Sequence, residues 1–166
     1  MTRKFQSGVM LIEALIGILI FSIGILAMIA LQAASISATA DAQYRVEAVN
    51  LANQMMGQIW AGVDRSTSAA LENSLLTFEH LADEGDDNCN FEGTESTNTM
   101  VTRWRNLIVT GAADGTGTRP LLPGASNTDQ QIDVNIGANN QVKITVCWRT
   151  PPDNVTHRHV LLANVN

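Results

Sequence analysis

Residues 9–31, VMLIEALIGILIFSIGILAMIAL, form an apolar run that carries one charge, Glu13. Wound as a helix at 1.5 Å per residue, the run reaches about 34 Å. That is enough to cross a bilayer hydrocarbon core of about 30 Å. Gly17 and Gly24 weaken the helix locally, by about 1 kcal/mol each relative to Ala. Their spacing of seven also puts both on nearly one face, where a neighbouring helix can approach closely. No proline occurs before Pro120.

On the N-terminal side lie Arg3 and Lys4, and the next basic residue is Arg45. Positive charge therefore flanks one side of the run alone, and the positive-inside rule predicts a cytoplasmic N-terminus with the remainder exported. After about residue 40 the chain becomes rich in Asn, Thr, Asp and Gly, the profile of a soluble domain, so one span is expected. Ten basic residues face sixteen acidic ones, a net charge of -6, which argues against a nucleic-acid or anionic-membrane surface. Beyond Leu31 the helical pattern continues to about Val63. Ala48, Leu51, Ala52, Met55 and Ile59 recur at three- and four-residue spacing, with Arg45, Glu47, Asn50 and Asn53 largely off that stripe. Span and amphipathic continuation together predict one helix of about 50 residues, roughly 80 Å.

Residues 64–97 read as loop with a short helix near Ala69 to Leu76, and 83–95, DEGDDNCNFEGTE, as an acidic loop. A second helix is predicted from Thr99 to Thr110, with Met100, Trp104, Leu107 and Ile108 on one face and Asn98 as its cap. The period then changes. Ile132, Val134 and Ile136, and likewise Val142, Ile144, Val146 and Trp148, alternate with polar residues as half-buried strands do. Gly137-Ala138-Asn139-Asn140 supplies a turn between them. A third strand from about His157 to Val165 follows the turn at Pro151-Pro152-Asp153-Asn154. The expectation is an antiparallel meander covered by the long helix's stripe. Cys89 and Cys147 both fall in the exported part, where conditions are oxidising. A single disulfide is the simplest reading, worth roughly 3–4 kcal/mol for so long a loop. Two free buried thiols, or a metal site needing further ligands, are the alternatives.

The basic leader MTRKFQSG, the small Gly8 at its end and the apolar run broken by a carboxylate five residues on resemble the class III signal of type IV prepilins. The resemblance implies that a prepilin peptidase cuts between Gly8 and Val9 and methylates the new Val9 amine. The usual first residue of the mature family member is Phe, so Val9 departs from the pattern. It also implies that Glu13 neutralises the Val9 amine of a neighbouring subunit. That would explain a carboxylate which otherwise costs about 2.5–3.5 kcal/mol in the middle of a span. Further along, Thr102-Arg103-Trp104-Arg105-Asn106-Leu107, Leu121-Leu122-Pro123-Gly124 and Cys147-Trp148-Arg149 resemble the minor-pilin branch called type IV pilus modification protein PilV.

What this likeness implies is an α+β, type IV pilin-like fold, a long N-terminal helix packed on a small C-terminal antiparallel sheet. Its parts would be a leader (1–8), a transmembrane and assembly helix (9–31), an amphipathic continuation (32–63) and a periplasmic domain (64–166). The implied role is that of a minor pilin, associating with other minor pilins and the major pilin in a tip or priming complex. Before assembly it would lie in the inner membrane, and afterwards at the cell surface; no cofactor and no catalysis are implied.

Three competing readings follow from the same residues. A pseudopilin of a type II secretion system would share the leader and helix. Ala38-Thr39-Ala40 looks like an ordinary signal-peptidase site, but the apolar run exceeds an h-region of about 7–15 residues and contains Glu13. A membrane-anchored periplasmic enzyme would need a catalytic cluster, and His80, His157 and His159 belong to no nucleophile or zinc motif. His157 and His159 share a strand face, where a solvated pair is the plainer reading than a metal site. Asp83, Glu84, Asp86, Asp87 and Glu92 do not match an EF-hand spacing and read as a solvated acidic loop. Trp60, Trp104 and Trp148 each fall on an apolar face and are expected in the core.

Overall fold

The structure, a computed structural model, describes residues 7–83, 89–150 and 155–166, with Ser7 and Gly8 described by backbone alone. Arg3 and Lys4, the acidic residues Glu84, Asp86 and Asp87, and the turn at 151–154 lie outside the described residues. The chain divides into two compact units, Met1–Ala42 and Gln43–Asn166. Helix α1 (Ser7–Gly62) supplies the helical residues of the first unit and the first element of the second. An unbroken helix follows from the sequence: no proline interrupts these residues, and half of them are strong helix formers.

In the second unit, α1 turns one face inward. Ala48, Ala52, Met55 and Ile59 are fully buried, and Leu51 and Met56 nearly so, which is the stripe expected from the spacing with Met56 added. Helix α2 (Ser68–Leu76) starts where the Thr67 hydroxyl accepts a hydrogen bond from the Ala70 amide, and it buries Leu71 and Leu75. Helix α3 (Thr99–Thr110) is capped by the Asn98 side chain, which accepts from the Met100 amide at 2.9 Å. It ends at Gly111, whose left-handed φ of 80° stops the helix while its amide still bonds the Leu107 carbonyl.

The buried face of α3 is Val101, Trp104 and Ile108. Met100 is 44 % exposed and Leu107 half-buried, so the face is rotated by about one position from the expected one. The Trp104 indole N–H sets that rotation, because it donates to the Leu51 carbonyl of α1 at 2.9 Å, fully buried. A buried indole N–H without an acceptor would be costly, and the second lone pair of a helix carbonyl meets the need.

Strands β1 (Gln130–Asn135), β2 (Gln141–Arg149) and β3 (Thr156–Asn164) form an antiparallel sheet in the order β1-β2-β3. Ile136 does not continue β1. It enters a short 3-10 turn, Ile136–Ala138, held by the Asn135 side chain, and Asn139 and Asn140 reverse the chain at positive φ. Asn tolerates that region better than most residues because its short amide bonds locally. The core of this unit joins Met55 and Ile59 with Trp104, Ile108, Leu122, Ile132, Ile144, Val146 and Trp148. At the far end of β1, the Gln130 side-chain amide donates to Cys147 O and accepts from Cys147 N, satisfying β2 one residue beyond the ladder. Arg149 N then donates to Pro123 O at 2.9 Å. Trp60 stays 49 % exposed, against the expectation that all three tryptophans are core.

Candidate functional site

Residues 9–36 of α1 are exposed at every position in the chain taken alone. Val9 is 64 %, Phe21 69 % and Leu31 72 % exposed, and most of the residues between them are also large, exposed apolar side chains. Soluble monomers rarely leave apolar patches beyond a few hundred Å² uncovered, so a surface of this kind marks a membrane or association site. A helical window of mean hydropathy 2.8 near the N-terminus is long and apolar enough to cross a membrane, consistent with a membrane anchor. Two hydroxyls of α1 are satisfied by the helix's own backbone. The Ser22 hydroxyl donates to Ile18 O at 2.7 Å and Thr39 to Ser35 O at 2.8 Å, so neither demands water.

Gly8 lies in the first turn of α1, immediately before Val9. Glu13, four residues beyond Val9, falls on the same helix face. It has no ion-pair or hydrogen-bond partner among the described residues, where the only ion pairs are Arg105–Glu95 and Lys143–Asp133. A Cβ added at Gly17 or Gly24 would meet nothing within 4 Å, so both leave open surface for a neighbouring helix.

In the second unit, Cys89 and Cys147 form a disulfide across 58 residues. Cys147 is fully buried in β2, so the bond ties Cys89 to the central strand. Of the acidic residues there, Asp83 and Glu92 are described, and their backbones pair (Asp83 N to Glu92 O, 3.2 Å). His157 and His159 do share one face of β3, but it is the face of Trp148 and Val146. The His157 ring stacks on Trp148 at 5.6 Å, so the pair is half-buried rather than solvated. Among the described residues, no three His, Cys, Asp or Glu side chains gather as a metal site would require.

Electrostatic shifts are local. Hydrogen bonds from the backbone and side chain of Ser66 hold the Asp64 carboxyl below its ordinary range, and Thr116 does the same for Asp114. Burial, then the charges of Asp133 and Asp83, push Glu79 up. His80 has no helical or strand periodicity to announce it, yet it is 1 % exposed and bridges by its backbone to Ile132 (2.9 and 3.0 Å). Surface clefts include one of about 370 Å³ beside Glu79 and Asn98 and one of about 380 Å³ beside Gln54 and Arg103.

Compared with known proteins, the chain matches no family model, no curated protein and no solved structure.

Proposed function

We propose that this chain is a minor pilin of a type IV pilus, similar to the PilV branch, which takes part in the tip or priming complex of the filament. The observation that carries the reading is the exposed apolar helix of residues 9–36, whose one carboxylate, Glu13, stands a helical turn beyond Val9. Residues 9–31 hold the precursor in the inner membrane with the C-terminal domain in the periplasm. Prepilin peptidase removes residues 1–8 and methylates Val9, and the new amine becomes the partner of Glu13 on a neighbouring subunit. In apolar surroundings such a pair neutralises two charges that are each expensive alone. With the leader gone, Glu13 also lies near a helix N-terminus, where negative charge is favoured. Packing among neighbouring helices keeps the apolar residues from water as the subunit leaves the lipid. The chemistry is association rather than catalysis, with other minor pilins, the major pilin and the peptidase as partners.

Co-expression with a prepilin peptidase, followed by mass measurement of the mature N-terminus, tests the processing step. Loss of residues 1–8 with one added methyl group is expected; an intact precursor or an N-terminus at Asp41 would refute it. Glu13→Val in the native host tests assembly and is expected to abolish incorporation into pili. If that variant restores piliation as well as wild type, the role given to Glu13 is wrong. Restoration of protein secretion instead of piliation by the wild-type chain would point to a secretion pseudopilin.

A further inference from the structure

We propose that His80 is an acid-sensitive latch between residues 77–83 and 94–98: the neutral ring fastens the two stretches together, and proton uptake releases them. The inference stands apart from the filament reading, because it rests only on the hydrogen bonds of the second unit. The His80 Nδ1 accepts a hydrogen bond from the Ser96 amide at 3.0 Å. Ser96 in turn donates its hydroxyl to Thr77 O at 3.1 Å and accepts from the Asn98 amide at 3.3 Å. Asn98 is the cap of α3 and also donates to the Thr77 hydroxyl. One imidazole lone pair thus begins a chain of bonds that ends at a helix N-terminus.

Because Nδ1 accepts, the proton of the neutral ring is on Nε2. Nε2 is buried and has no hydrogen-bond partner among the described residues. Protonation would place an N–H at Nδ1 directly against the Ser96 N–H, two donors where one bond had been. It would also put a cation in a ring that is 1 % exposed.

The surrounding charges do not rescue it. From α3, Arg105 opposes a second positive charge; from the 94–98 stretch, Glu95 favours one, but its carboxylate is held by Arg105 at 2.7 Å. On β1 the ring's segment meets the uncharged Ile132, and the adjacent Asp133 pairs with Lys143 at 3.0 Å. Glu79 and Asp83, on the histidine's own stretch, act with Asp133 on one another, which is part of why Glu79 is raised. Burial first, and Arg105 second, hold the His80 pKa below the ordinary histidine value. The unfolded or released ring takes its proton near pH 6.5 and the latched ring does not. The released state therefore binds more protons, so the latch weakens progressively as pH falls below about 6.5 and is intact above it. Behind it, Trp104 and Ile108 hold α3 in the apolar core of the second unit.

The test is amide hydrogen exchange and histidine NMR on the full-length chain in detergent micelles, at about pH 7.5 and about pH 5. After correction for intrinsic rates, protection of the Ser96 amide, and of the Leu81 amide that donates to Thr94 O at 3.0 Å, is expected to fall on acidification, toward the limit of about thirty-fold that a released ring of ordinary pKa sets between those two pH values. Trp104 and Ile108 amides should keep theirs, and the His80 ring should titrate below the ordinary histidine value. His80→Gln, which offers an amide oxygen to Ser96 and does not titrate, should remove the acid dependence. A ring that titrates at or above the ordinary value, unchanged Ser96 protection, or simultaneous loss at Trp104 would overturn the latch. Should His80→Gln fail to fold, the wild-type titration and exchange decide alone.

Discussion

Gly57 and Gly111 are both helix-associated glycines, and their surroundings oppose each other. Gly111 holds φ at 80°, and a Cβ there would collide with the Arg119 carbonyl oxygen. Gly57 lies inside α1 with nothing within 4 Å of a Cβ. Gly57→Ala should therefore stabilise the second unit by about 0.5–1 kcal/mol through lower backbone entropy in the unfolded chain. Gly111→Ala should destabilise it by more than about 1 kcal/mol, from strain at positive φ and the displaced Arg119 carbonyl. Thermal unfolding of the two variants side by side checks the sign of each. The sequence shows two glycines near helix ends or interiors and no more; the colliding carbonyl comes from a loop without periodicity. Trp104 teaches the same lesson. Its helix was readable from spacing, but which neighbours share its buried face depended on the Leu51 carbonyl, 53 residues away.

Among the elements, helices and strands matched their sequence patterns closely because each pattern is a local periodicity that one buried face imposes. The α3 cap at Asn98 and the inward set Val142, Ile144, Val146 and Trp148 of β2 needed only neighbouring residues to be read, whereas β2 is not half-buried as expected, because Thr145 and Cys147 on its other face are buried too. The connecting stretch between α2 and α3 was different. Its shape is set by the Cys89–Cys147 bond, by His80 on Ile132, and by the Gln131 amide, which donates to Leu81 O at 2.9 Å. Cys89→Ser with Cys147→Ser should therefore cost roughly 2–4 kcal/mol. Denaturant unfolding of wild type with and without reductant should reproduce most of that difference; a midpoint that reduction leaves unmoved would show that the bond contributes nothing.

At the scale of the whole molecule, α1 carries two different surface patterns on one secondary structure. Residues 9–36 expose apolar side chains all round, whereas from Ala48 onward a single face is buried against the second unit. Leu19→Asp adds a charge to the apolar run and should weaken membrane insertion by about 2.5–3.5 kcal/mol, moving chain from the membrane to the soluble or degraded fraction. Asn50→Asp, on the exposed side of the amphipathic part, should leave the membrane fraction unchanged. Fractionation of cells expressing each variant distinguishes the two, and equal membrane retention would remove the case for residues 9–31 as the anchor.

The sequence by itself determined the apolar run, its charge flank, the stripe from Ala48 to Ile59 and the alternating strands, because these are properties of neighbours along the chain. The Cys89–Cys147 bond was likewise the simplest reading of two exported cysteines, and the structure contains it; only the tertiary structure decided that Trp104 reaches Leu51, that Trp60 remains exposed and that His80 is buried, with one nitrogen unpartnered among the described residues. The physical reason is distance along the chain. Those contacts join segments tens of residues apart, and they exist only once the core between α1, α3 and the sheet has brought the segments together.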